Sequence, residues 1–474
     1  MHRLGNEPIV SANAVKSASF VVEVIGRIGI TMNTVIFFAR DRVRVVCAAA
    51  IFLCLAAPIR AEPNWPQWGG PNRDFTTTSA GLASSWPEEG PKQLWSRELG
   101  DGFSTIVSDG ARLYTLYRGE DEHEVVIALE PASGKTVWEY KYAAPYVETE
   151  VDERDEKTNE KTGKKKTDKQ VTKFGTGPNS TPLLAGGRLY TIGFTGLMHC
   201  LDASTGKKVW SHDLFHEFGA SYQRFGWATS PIAYRDSVIV LVGGKGHAVM
   251  AFDQATGSVH WQGADMDCSY SSPILVKAGG EDHLVAYMAN EIVGMSPKDG
   301  TVHWTLEHKN QYSTAICTPI WCPPDMLFFV NGGDTAGGRV VRLAKNAGKV
   351  SPEEIWTNRK IKGGLNNAVC IGDRLYSPNS AGESSKFMIG FELKTGEVLW
   401  KDRTVPGAKP LYADGKLIVL DEEGQLILAT PGPMGLEVRS KAKLLENPAW
   451  TTPTLVGTKL YLRDRKTIMA VDLG

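Results

Sequence analysis

From Ala128 the segment ALEPASGKTVW passes from a short apolar stretch through a polar turn ending in Gly to a second stretch ending on Trp138. The same grammar returns in CLDASTGKKVW, AFDQATGSVHW, GMSPKDGTVHW and GFELKTGEVLW, which end on Trp210, Trp261, Trp304 and Trp400. Each reads as a β-hairpin. Gly134, Gly206, Gly257, Gly300 and Gly396 fall where the turn needs a positive φ, and Asp202 and Asp253 can bond back onto the turn backbone. A degenerate copy ends on Trp356, and another around residues 426–438 has lost the Trp.

A second column precedes these hairpins. A Ser/Thr-Pro step leads into a strand pair in STPLLAGGRLYTIG, TSPIAYRDSVIVLVGG, SSPILVKAGGEDHLVAYM, CTPIWCPPDMLFFVNGG and TTPTLVGTKLYLRD. Aligned on the RLY-like strand, FSTIVSDGARLYTLY, NNAVCIGDRLYSPN and AKPLYADGKLIVL bring the count to eight. Each unit is then four strands over roughly 45 residues, the size of one propeller blade. The expected fold is all-β, an eight-bladed β-propeller of four-stranded antiparallel blades. The last unit stops at IMAVDLG without its Trp-bearing strand, and that strand stands at the start as QLWSREL around Trp95. An N-terminal strand completing the last blade would remove exposed sheet edges. The Trp column then wedges between neighbouring blades with each indole N–H free to bond.

The motif D-x-x-T-G-x-x-x-W, repeated in order over residues 94–474, resembles the PQQ-like (quinoprotein-type) propeller repeat. The opening WPQWGGP from Trp65 is similar to the leader of exported bacterial proteins of that group, where Gly70 usually reads as Arg. The group includes propellers similar to the assembly protein BamB and those of quinoprotein alcohol dehydrogenases. For the enzymes the resemblance implies PQQ with calcium, a catalytic Asp and an adjacent Cys-Cys pair. This chain has no Cys-Cys, and no calcium-binding set can be carried over residue by residue.

Charge changes the picture little. Lys plus Arg number 52 against 53 Asp plus Glu, which gives no general electrostatic case for nucleic acid or an anionic membrane. The first sixty residues stand apart. Arg40, Arg42 and Arg44 precede VVCAAAIFLCLAAP, which reads as a signal peptide cleaved after Ala61, with Met32 a candidate start and residues 1–31 an extension. The run is short for a bilayer span, and neither Cys47 nor Cys54 sits in a lipoprotein signal. The expected organisation is therefore a signal segment over 1–61, a leader over 62–93 and the propeller over 94–474, in a periplasmic or secreted monomer without a transmembrane span. Cys200, Cys268, Cys317, Cys322 and Cys370 remain, an odd set whose pairing the sequence leaves open.

Chemistry is expected on the face where blades are joined. Residues 146–173 form a charge-dense insertion, expected as a solvated, mobile flap that is either inert or partner-binding. The stretch 215–228 mixes Tyr222, Arg224, Phe225 and Trp227 with glycines, and either stacks on a ligand or peptide or caps the core. Positions three before the Pro column give a rim of Phe103, Asn179, Ala228, Tyr270, Ile316, Leu365, Gly407 and Trp450, joined by Tyr312, Asn366 and Asn367. The binding candidates are Tyr222, Arg224, Trp227, Tyr270, Tyr312, Asn366, Asn367 and Trp450, with no catalytic residue assigned. No metal site is assigned: His212, Asp213 and His216 would align as ligands only on a helix. The leading expectation is a non-catalytic scaffold that binds a protein or polymer partner and no nucleic acid. The alternatives are a PQQ- and calcium-dependent alcohol or sugar dehydrogenase, and a carbohydrate-binding module.

Overall fold

The computed structural model describes residues 64–146, 150–154, 161–167, 171, 174–221, 224–309, 313–331, 336–364, 366–380, 386–405 and 408–474. The signal-peptide expectation lies outside these residues. Eight four-stranded antiparallel sheets form a propeller ring. Blades 1 to 7 span 107–143, 183–213, 232–266, 274–307, 320–358, 369–402 and 408–443, each with its innermost strand first in sequence. Blade 8 combines 454–472 with Lys92–Glu98, which pairs antiparallel to Thr467–Asp472 with Trp95 opposite Ala470. One sheet thus holds both the first and the last strand of the repeat array.

The strand patterns follow from position in the blade. Middle strands are covered on both faces by neighbouring blades, so Ser237–Leu241 (SVIVL) and Met326–Val330 (MLFFV) are buried throughout. Outermost strands meet water, and Thr136–Ala143 (TVWEYKYA) alternates and carries charge along its free edge. A bulge one residue before each Trp re-aims the indole: Ala128 pairs with Trp138, then Leu129 with Thr136, and the same slip recurs at Trp210, Trp261, Trp304, Trp356 and Trp400.

Five of the re-aimed indoles, those of Trp95, Trp138, Trp210, Trp261 and Trp356, dock on the glycine of the next blade's hairpin turn. Trp Nε1 donates to Pro131 O from Trp95 (2.8 Å), to Ala203 O from Trp138 (3.1 Å), to Gln254 O from Trp210 (3.2 Å) and to Leu393 O from Trp356 (2.8 Å). The turn glycine is required twice over. Gly134 has φ +67°, and a Cβ there would stand 2.5 Å from the Trp95 ring; at Gly257 (φ +77°) it would stand 2.7 Å from Trp210. Blade 7 lacks a repeat Trp and has Ser440 at that register. There the leader supplies one: Trp86 N donates to Ser440 Oγ (2.7 Å), and its ring packs on the apolar cluster of blades 7 and 8.

The leader is the part the repeat pattern did not foretell. Residues 64–83 cross the axis and touch every blade. Trp65 bridges Ser108 in blade 1, and Pro66 O accepts from Leu184 N in blade 2. Arg73, almost wholly buried, donates to Ser230 O and Pro231 O of blade 3 and to Pro273 O of blade 4. Trp68 Nε1 reaches Thr318 Oγ1 in blade 5 at 2.9 Å, and Phe75 fills the cluster of blades 5 and 6. Tyr412 of blade 7 exchanges hydrogen bonds with Phe75 and Thr77, and Ala83 N donates to Leu473 O of blade 8. A guanidinium suits this role, because its donors meet carbonyls from two blades that the axis would otherwise leave unpaired.

The insertion after blade 1 contains a two-stranded ribbon. Glu150–Arg154 and Lys161–Thr167 pair as an antiparallel hairpin, with Asp152 opposite Lys165.

Gly257→Ala and Gly348→Ala separate docking from backbone strain. Both sites have positive φ, but Gly348 (φ +84°) has open space where the new methyl would go. Gly257→Ala is expected to cost ~1–3 kcal/mol more than Gly348→Ala, read by chemical denaturation; equal costs would argue against the docking.

Candidate functional site

Strand direction alternates within a blade, so the turns between strands one and two, and three and four, emerge at one end of the ring. The backbone of the leader pairs at that end with Ser108, Leu184 and Tyr412, while Trp68 and Arg73 reach along the axis to Thr318, Ser230, Pro231 and Pro273. The blade-to-blade connections and the loops between strands two and three emerge at the other end, and the candidate site is built there.

Five aromatic rings from successive connections form a continuous arc. Trp450 (blades 7 to 8) lies 5.0 Å from Phe103 (8 to 1) and 5.5 Å from Phe174 (1 to 2). Phe174 lies 5.9 Å from Phe225 (2 to 3), which lies 6.2 Å from Tyr270 (3 to 4). Polar bonds hold the arc in place: Asn179 Nδ2 donates to Phe225 O (2.9 Å), and Phe225 N donates to Tyr270 Oη (3.3 Å). Two cations back it. Arg224 lies over Phe225 at 5.1 Å, and Arg465 lies over Phe103 at 6.0 Å while gripping Asp101 with bonds of 2.7 and 2.8 Å. Phe174 is 38% exposed, and the other four rings are half-buried. Rigid, partly exposed rings offer contact area at little entropic cost, which suits recognition of an apolar or aromatic chain.

The expected residues divide clearly. Arg224, Tyr270 and Trp450 belong to the arc. Trp227 does not: it is fully buried against Phe215 in the core between blades 2 and 3. The turn over 224–225 lifts Phe225 outward, while Gly226 (φ +75°) turns the chain back so that Trp227 enters the core. Asn366 and Asn367 are buried, and Asn367 Oδ1 accepts from Thr318 N (2.7 Å), tying blade 6 to blade 5. Tyr222 and Tyr312 lie outside the described residues. Phe174 was missed, although a lone aromatic before the glycines of FGTG, closing a charged insertion, was a visible signal.

The histidine pattern is absorbed locally. His212 bonds Glu217 (2.7 Å) and Gly257 O (2.8 Å), and His216 bonds Asp213 (2.7 Å), the N-cap of the one-turn helix Leu214–Phe218. Among the described residues no three His, Cys, Asp or Glu side chains converge. Calcium wants six to eight oxygens including carboxylates, so the donor set present among the described residues does not fit the calcium that accompanies PQQ. Two buried arginines at this end already have acceptors: Arg118 bonds Glu124, Ala144 O and Thr176 O, and Arg463 bonds Ser104 O, Thr115 Oγ1 and Leu116 O.

Inside the arc runs a ring of Ser/Thr-Pro steps. Thr181 N donates to Ser230 Oγ and Ser230 N to Ser272 Oγ, both at 3.0 Å, linking blades 2, 3 and 4. In blade 7 the step reads Ala408-Lys409-Pro410, placing an ammonium, which cannot accept, where other blades place an acceptor. Lys409 is buried, and its Nζ has no hydrogen-bond partner among the described residues. Burial pushes its pKa down to about 8, against the pull of Glu422. The unfolded chain holds this proton up to the ordinary lysine range near 10.5, so the folded state gains stability as pH rises through that window.

Comparison with known proteins bears on the fold. A family model described as "Outer membrane protein assembly factor BamB" matches residues 124–318. BamB from Yersinia pestis is 23% identical over 297 residues, covering 60% of this chain and 71% of that protein. BamB from Shewanella oneidensis is also 23% identical, over 307 residues, with the same coverage. Among solved structures, BamB from Moraxella catarrhalis superposes with TM-score 0.54 at 14% identity, covering 81% of this chain and all of that one. Quinohemoprotein alcohol dehydrogenase from Comamonas testosteroni gives TM-score 0.59 at 14% identity, covering 87% of this chain and 81% of that one. The PQQ-like resemblance read from the repeats therefore holds for a β-propeller similar to both groups.

Lys409→Met is expected to stabilise the protein by on the order of 1–3 kcal/mol at pH 7 and to flatten the rise in stability between pH 8 and 10. Urea denaturation across that range checks both; a destabilised variant at neutral pH would show that the ammonium has a partner.

Proposed function

We propose that this chain is an exported, non-catalytic binding propeller that holds a protein partner across the aromatic arc of Trp450, Phe103, Phe174, Phe225 and Tyr270. The observation that carries this reading is the arc itself, five linked rings on the blade-to-blade connections, at the end opposite the leader's backbone pairing. The partner surface that fits is an apolar or aromatic strand or loop. The arc offers stacking faces with polar bonds at its margin. By likeness to BamB, the partner belongs to outer-membrane protein assembly and the compartment is the periplasm. The arginines gripping the arc orient rings rather than confer a net charge, so binding should depend weakly on salt.

The competing reading, a PQQ- and calcium-dependent dehydrogenase, is favoured by the likeness to quinohemoprotein alcohol dehydrogenase. It predicts cofactor absorbance and dye-coupled alcohol or sugar oxidation when PQQ and calcium are added to purified protein. The scaffold reading predicts neither.

A photo-crosslinking residue at Phe174 is expected to yield a discrete protein adduct in cells, and the same residue at Met434, 85% exposed at the far end of blade 7, is expected to yield none. Trp450→Ala should lower the Phe174 adduct several-fold with little change in melting temperature. Adducts of equal yield from both positions, or from neither, would sink the assignment of the arc.

A further inference from the structure

Cys322 ends the innermost strand of blade 5, Ile320–Cys322, and Cys370 is the middle residue of the innermost strand of blade 6, Val369–Ile371. Both belong to the apolar cluster that also takes in Trp68 and Phe75 of the leader. These two innermost strands pack against one another, the two thiols interact electrostatically, and neither is bonded in a disulfide. Each also donates weakly to a nearby carbonyl, Cys322 to Ile320 O at 4.0 Å and Cys370 to Gly372 O at 3.8 Å. Such bonds are easily given up. Cys317 lies in the same cluster but donates to Asn366 O at 3.0 Å, while Cys200 and Cys268 lie in the clusters of blades 2 to 3 and 3 to 4.

We propose that Cys322 and Cys370 form a disulfide joining the innermost strands of blades 5 and 6 when the protein meets an oxidant of the thiol–disulfide exchange class. Access sets the order of events. Cys322 is buried and Cys370 is half-buried. Contact with Cys370, burial and the Asp74 carboxylate together hold the Cys322 thiol well above its usual range, so it is a poor first nucleophile. The Cys370 thiolate attacks the oxidant's disulfide and expels one thiolate. The Cys322 thiolate then attacks Cys370 Sγ in the mixed disulfide and expels the second. The protein gives up two electrons and two protons, and the oxidant's disulfide becomes two thiols.

The bond would add a covalent tie between strands already joined at their other end by Thr318 N to Asn367 Oδ1. It would also fix the wall against which Phe75 and Trp68 rest. Crosslinking positions so far apart in sequence removes many unfolded conformations.

The full-length protein, incubated with oxidised glutathione, alkylated and digested without reductant, provides the test by peptide mass spectrometry. The expected product is a peptide pair joined through Cys322 and Cys370 that separates on reduction, with Cys200, Cys268 and Cys317 alkylated. The oxidised protein should melt several degrees higher than the reduced one, and Cys370→Ser should abolish that difference. Alkylation of both residues after oxidation, a stable glutathione adduct on Cys370, or a link to another cysteine would overturn the proposal. The wild-type peptide map stands by itself even where the variant does not fold.

Discussion

The structure depends on one contact used repeatedly: an indole from the outermost strand of one blade seated on the glycine turn of the next. A four-stranded blade cannot bury both of its faces alone, and only neighbours at the right angle cover them. The indole supplies apolar area near the rim, where the middle strands no longer reach, and its N–H satisfies a turn carbonyl in Trp95, Trp138, Trp210 and Trp356. The arrangement binds sequence to geometry in both directions. The bulge before the Trp aims the ring, and the glycine of the next repeat leaves room for it.

At the axis the problem is different, because innermost strands converge and leave carbonyls facing one another. Here the leader substitutes for a repeat contact, with Arg73 bonded to blades 3 and 4 and backbone pairing to blades 1 and 7. With the leader resting on one end, the aromatic arc occupies the other, on the connections between blades. Lys409 shows the limit of the hydroxyl ring that joins the blades there. A residue without an acceptor interrupts it, and such an interruption is tolerable because the rest of the blade is held by its middle strands.

Much of this was legible in the chain. The eight strand pairs, the glycine turns and the docking role of the Trp column follow from residue types at fixed spacing, and Asp202 and Asp253 bond their turns as their position implied, to Thr205 N at 2.9 Å and Thr256 N at 2.7 Å. What repetition could not specify is whatever occurs once. The leader's path has no second copy to align, and Arg73 looks like any exposed cation until its acceptors are seen. Trp227 and Phe225 are two residues apart in one loop, yet one is core and the other surface, because a glycine between them reverses the chain. Phe174 joins the arc from beyond an insertion, so its neighbours are decided by ring closure rather than by local pattern.

Amide hydrogen exchange on Trp210→Ala tests the central contact most directly, because Trp210 belongs to blade 2 and its seat belongs to blade 3. If docking couples the blades, exchange should accelerate in the blade 3 turn, where Gly257 N bonds Asp253 O, as well as in the strand that carried the Trp. Acceleration confined to blade 2, with the blade 3 turn as protected as before, would contradict the account.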